Sequence, residues 1–346
     1  MAPCAANFSA RDDIMASLAN LPISLLDLAS VPTGMDIPAT LQRLQRYAQR
    51  ADELSFKRFW LAEHHNMEGI ASSATAVLIG QLAAHTHNIL IGSGGIMLPN
   101  HPPLVVAEQF GTLDALYPGR IDLGLGRAPG TDPITSRALR RDDMRAERFP
   151  EEVAELQALL GPEQTKKRVK AYPGANSQVA MWLLGSSMFS AQLAAERGLP
   201  YAFAGHFAPR LAQQALELYR SHFQPSSSLA EPYAILCLPL VLAEDDAQAR
   251  YLATSSQQRV LALMQGQPLY LPPPVDNMDE HWSVMQQAQV QDFLALSVVG
   301  GPVSARSKLE SLLAQMPVDE LMFTNDIYDE QLRLQALDLA AELVSG

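Results

Sequence analysis

Short apolar runs alternate with longer stretches of helical periodicity along almost the whole chain. That rhythm restricts the fold more than any single motif does. Runs at 22–28, 58–62, 89–98, 120–127, 179–185, 199–205, 232–243 and 320–325 read as strands. Between them, 38–56, 72–86, 102–119, 187–198, 208–223 and 245–264 read as helices, and 329–344 follows the last run. Leu41, Leu44, Ala48, Ala51 and Leu54 recur at helical spacing behind Pro38, a residue suited to a first turn. Seven or eight strand–helix units predict a parallel sheet closed into a (β/α)8 TIM barrel of the α/β class. A doubly wound open sheet is the alternative. No GxGxxG opens a helix after the first strand, which weighs against it. Two stretches, 128–178 and 265–303, exceed a minimal barrel. The second holds Pro272, Pro273 and Pro274 in a row, which excludes helix or central strand. Both predict insertions over the C-terminal face. Residues 1–20 lack a basic start and a continuous apolar core, so a loose extension is expected, with 21–346 as one domain.

The net charge is −12, from 25 basic and 37 acidic residues. It weighs against nucleic acid and anionic membranes as partners. No stretch has the apolar length of a membrane span. Cys4 and Cys237 lie far apart and form neither a disulfide framework nor a zinc spacing. That fits a reducing, cytoplasmic compartment. Cys237 sits in an apolar run and reads as a small buried residue.

Barrel enzymes place their chemistry at the C-terminal ends of the strands. The polar residues expected there are Glu63, His64, His65, His101, Arg127, Ser186, Ser187 and His206. Glu63-His64-His65 admits three readings: a metal site, a catalytic group, or solvated loop residues. Neighbouring residues on an extended segment point to opposite faces, so the two histidines do not readily share an ion. The HExxH spacing is absent, and no metal is expected. One imidazole at the mouth could exchange protons near neutral pH. Gly94-Gly95, straight after a strand, fits close approach of a flat ligand or a plain loop. Gly185-Ser186-Ser187 leads a strand into a helix and could cradle a phosphate or simply cap the helix. Arg127 and Arg137 could add charge-assisted bonds. Arg137, Arg140, Arg141, Arg145 and Arg148 read more readily as a solvated face than as a site, with only the one nearest a phosphate exempt.

Taken together, FWLAEHHN, IGSGGIMLPNHPPLVVAEQFGTLDALYPGRIDLGLGR, SRALRR and WLLGSSMFSAQLAAERGLP resemble the flavin-dependent, bacterial luciferase-like monooxygenases. The likeness runs from about residue 21 to near the C-terminus. It implies a barrel that binds FMN as FMNH2, supplied by a separate reductase. It also implies O2 chemistry, through a C4a-peroxyflavin, on a small and mostly apolar substrate. His64 matches the family's catalytic histidine. Gly94-Gly95 matches the pair under the flavin ring, often joined by a cis peptide. Gly185, Ser186 and Ser187 match the phosphate turn, and Arg127 and Arg137 its arginines. The resemblance further implies a homodimer through helices near 72–86 and 102–117. Gly126 stands where luciferase has a reactive cysteine, and Gly185 where it has a carboxylate. Luminescence is therefore not expected, and hydride transfer without O2 or simple flavin holding are the alternatives.

Overall fold

The computed structural model describes residues 18–128, 130–139, 146–162, 169–177 and 179–345. Cys4, Arg140, Arg141, Arg145 and most of the expected N-terminal extension lie outside them. Eight parallel strands carry the barrel: β1 (Ile23–Asp27), β2 (Arg58–Leu61), β3 (Leu90–Met97), β4 (Ile121–Gly126), β5 (Ala180–Gly185), β6 (Tyr201–Ala204), β7 (Ala234–Leu242) and β9 (Glu320–Thr324). Each pairs with the next around the ring, β7 with β9, and β9 closes onto β1 through Ile23↔Leu321 and Leu25↔Phe323. A short β8 (Val298–Gly300) pairs only with the outer end of β7, at Leu240–Leu242. The eight apolar runs of the sequence are the eight barrel strands. Largely buried on both faces, they read as predominantly apolar segments, with Arg58, Asp122 and Glu320 as charged exceptions. Residues 120–127 alternate as a half-buried strand would, yet β4 is buried along its whole length because Asp122 points into the barrel network.

The barrel helices are α1 (Ile37–Glu53), α2 (Thr75–Ala84), α3 (Pro103–Leu116), α5 (Phe149–Leu160), α6 (Met188–Arg197), α7 (Ala212–His222), α8 (Asp246–Met264), α10 (Pro302–Gln315) and α11 (Glu330–Val344). Helix α1 shows how they start. Asp36 accepts from the Ala39 N–H at 2.8 Å, Pro38 occupies the first turn, and Leu44, Ala48 and Ala51 are buried. Two further helices, α4 (Pro133–Ala138) and α9 (Val284–Phe293), lie in the two long insertions.

The insertions divide differently from the sequence reading. Residues 149–160 do not pass over the mouth. Phe149, Val153, Leu156 and Leu160 recur at helical spacing and are buried, so α5 is a barrel helix. Much of 265–303 does cross the mouth, while its end forms β8 and the start of α10. Leu269 N–H donates to Glu68 O (2.7 Å), and Leu271 N–H donates to Val31 O (2.9 Å). These bonds pin the excursion to the loops after β1 and β2. At the start of the described residues, Leu18 is already buried, and Asn20 N–H donates to Val344 O at 2.9 Å.

The lower barrel interior is charged. Arg58 Nη1 donates to Asp122 Oδ2 (2.5 Å), and Arg58 Nε donates to Glu320 Oε1 (2.7 Å), with all three side chains buried. Trp60 Nε1 and Trp182 Nε1 also donate to Asp122, at 2.9 and 3.3 Å. Burial pushes the Asp122 carboxyl up, against the opposing pull of Arg58. The two tryptophan rings meet edge-on, 5.2 Å apart, and Trp60 also lines the inner of the two cavities described below.

Candidate active site

Two adjoining cavities open at the C-terminal ends of the strands. The inner one is lined by Gly94 and Gly95 from β3, Arg127 after β4, and Gly185, Ser186 and Ser187 after β5. The outer one is lined by His64, Arg259 from α8, Asn325 and Asp326 after β9, and Leu269, Phe293 and Leu294 of the excursion. Leu26, His206 and Phe207 face both.

The inner cavity is shaped by missing side chains. The Gly94–Gly95 peptide is cis. A Cβ on Gly95 would stand 2.2 Å from Leu184 Cδ1 and 2.7 Å from Gly124 O, and one on Gly94 would stand 2.6 Å from Leu26 Cδ1. Bare backbone is therefore what packs here. At Gly185 a Cβ would meet Ser190 Oγ at 2.1 Å, so any larger residue there requires Ser190 to move. Ser187 is the N-cap of α6, and its hydroxyl makes no capping bond. The first-turn N–H groups of α6 thus keep their donor capacity beside two serine hydroxyls. The Arg127 guanidinium lies 4.1 Å from the ring centroid of Phe189, in that same first turn. Arg137 is not brought to the site. It is exposed on the last turn of α4 and lines neither cavity.

Alternation along an extended segment divides Glu63-His64-His65 between two sides. His64 lines the outer cavity. Burial, and then the charge of Arg259, lower its imidazole to about 4, so it is neutral at pH 7. Its Nδ1 has no partner among the described residues. Glu63 and His65 meet elsewhere: His65 Nε2 donates to Glu63 Oε1 at 2.9 Å. His101, after β3, donates from Nε2 to the same oxygen at 2.8 Å. Glu63 is 1 % exposed, and burial pushes its carboxyl up. The bonds from His101 and His65 outweigh that and hold it below the ordinary range.

His206 was legible only as one polar strand-end residue among several. Burial lowers it too to about 4, with His64 nearby adding to the shift. Arg259 was not singled out, because its helix reads as ordinary amphipathic surface. It donates from Nη1 to Asp326 Oδ1 at 2.6 Å and from Nε to Leu269 O at 3.2 Å.

A family model described as luciferase-like monooxygenase matches residues 22–320. The chain belongs to the luciferase-like monooxygenase family. A family member from Escherichia coli, named luciferase-like monooxygenase, is 49% identical over 324 residues, covering 93% of this chain and 97% of its own. The solved structure of apo-MsnO8 is 34% identical, with a TM-score of 0.83, over 94% of this chain and 98% of that one. The oxygenating constituent of 3,6-diketocamphane monooxygenase from Pseudomonas putida, a type II Baeyer-Villiger enzyme solved with FMN, is 18% identical. It covers 94% of this chain and 98% of its own, and at a TM-score of 0.69 it shares the fold.

Proposed function

We propose that this family member is an FMN-dependent monooxygenase. It takes FMNH2 from a separate reductase and uses O2 to oxygenate a small, mostly apolar molecule. One observation carries the reading: a side-chain-free floor, an uncapped helix start with two hydroxyls, and an arginine line a single cavity. A flat ring over Gly94-Gly95 and a phosphate at Gly185, Ser186, Ser187 and Arg127 match that arrangement. Reduced FMN, when bound, supplies the electrons that activate O2.

The chain's own residues do the rest. The α6 N–H groups and Arg127 hold the phosphate. The barrel floor and the excursion keep bulk water from the ring. The outer cavity offers apolar walls from Leu26, Ile70, Val260, Leu263 and Phe293. Its charges are internally balanced, Arg259 with Asp326 and Arg333 with Asp27. Such walls favour an uncharged substrate. His64, neutral in that cavity, accepts or returns the proton that the oxygenation moves. No helix of the described residues is long and apolar enough to cross a membrane. Exposed Val77 on α2 and Val105 and Leu116 on α3 support a homodimer through those helices.

The test supplies photoreduced FMN and isotopically labelled O2 with a panel of thioethers, ketones and long-chain aldehydes. Product carrying one labelled oxygen atom is expected, with His64→Ala keeping FMN affinity and losing turnover. Turnover that persists without O2 would replace the reading with hydride transfer.

A further inference from the structure

We propose that Glu63, His65 and His101 form a binding site for a divalent first-row metal ion such as Zn2+ or Co2+, clamping the loop after β2 to the loop after β3. Their ligand atoms, one carboxylate oxygen and two imidazole nitrogens, all lie within 4.8 Å of one another. Two imidazoles with one carboxylate is a donor set that suits Zn2+ and its neighbours, with positions left for water.

The strand geometry explains how the set assembles. Positions 63 and 65 differ by two, so on an extended segment they share a side. His101 reaches them from the neighbouring strand's loop. The adjacent pair 64/65 cannot converge, and it does not: His64 goes to the outer cavity. Tetrahedral zinc with bonds of ~2.0 Å separates its donors by about 3.3 Å. The present separations to the carboxylate oxygen are 2.9 and 2.8 Å. Opening by about half an ångström, within side-chain rotation, admits the ion. Both imidazoles are reachable, with side-chain exposures of 16 and 27%.

Charge supplies an independent argument. Asp27, Asp122 and Glu320 are buried carboxylates, and each is paired with an arginine. Glu63, equally buried, has only imidazoles among its described partners and no arginine or lysine. A buried anion without a fixed cation is costly. A bound divalent ion provides the missing charge at a point where three ligands already face each other.

The metal alone is the probe, so the experiment is independent of the flavin reading. Equilibrium dialysis of the purified, chelator-treated full chain against Zn2+ or Co2+ at neutral pH reads stoichiometry and affinity. One ion per chain is expected. Binding should weaken by at least about tenfold in each of His65→Ala, His101→Ala and Glu63→Gln. Surface control His87→Ala should bind like wild type. Zn2+ should raise the melting temperature of wild type and leave that of His101→Ala unchanged. Glu63→Gln is isosteric and covers the case in which an alanine variant fails to fold. Absence of saturable binding up to about 1 mM, a Kd at which association is worth only ~4 kcal/mol, overturns the proposal. Equal binding in wild type and the three variants also overturns it, because the ion then sits elsewhere.

Discussion

Removing Arg58 probes the support beneath the site. In Arg58→Met, Asp122 and Glu320 lose their shared guanidinium at the bottom of the barrel. Their hydrogen bonds survive in part. Asp122 keeps Trp60 Nε1 and Trp182 Nε1 as donors. Glu320 keeps the hydroxyls of Ser24 and Tyr233, and Lys57 Nζ stands 3.6 Å away. The deficit is therefore charge, and it falls on Asp122, which has no second cation among its described partners. Stranding one buried carboxylate costs about 3–5 kcal/mol. The retained donors and Lys57 place the expected loss near the lower end, ~3 kcal/mol. The sign with pH follows. Without Arg58 the folded Asp122 carboxyl rises well above its unfolded value of about 3.9. The penalty is absent below that value, grows as pH climbs past it, and levels off above the folded value. Urea unfolding at pH 5 and pH 8 should thus show the larger deficit at pH 8. Adding Asp122→Asn to Arg58→Met should recover more than half of it. A deficit below about 1 kcal/mol, equal at both pH values, refutes the reasoning.

Other outcomes follow from the cavities. Arg127→Ala should weaken FMN binding about tenfold by fluorescence titration, since the guanidinium is partly solvated and its bond correspondingly modest. Arg137→Ala should change it by less than about twofold, because that side chain lies away from both cavities. Gly95→Ala forces a methyl against a backbone oxygen, so a loss of about 1–3 kcal/mol in thermal or urea unfolding and weakened FMN binding are expected. His64→Ala should lower substrate oxidation by about a hundredfold or more while FMN affinity holds.

The barrel was legible because its strands are largely buried on both faces and leave predominantly apolar runs, interrupted by Arg58, Asp122 and Glu320. Helix α5 was overlooked although Phe149, Val153, Leu156 and Leu160 keep helical spacing, because it follows an arginine-rich stretch that reads as solvent-facing. Strand β8 is too short to leave a pattern. At the site, Gly94-Gly95 and Gly185-Ser186-Ser187 are local signals, and the fold gathers them into one cavity. The carboxylate shared by His65 and His101 was not legible. His101 lies 38 positions from Glu63, and only the register of neighbouring strands brings them together. Arg137 illustrates the reverse: the resemblance implied a phosphate contact, the residue pattern read as a solvated face, and its side chain is exposed.

The two chambers draw on different parts of the chain. The groups proposed to hold the phosphate come from the turns after β4 and β5, whereas α8, the excursion and the segment after β9 contribute only to the outer chamber. Sequence change in the latter group leaves the lining of the inner cavity untouched. If the proposed reading holds, a lineage built on this plan can exchange one acceptor molecule for another by drift in a crossing loop and one helix, while the half proposed to activate oxygen is inherited unaltered.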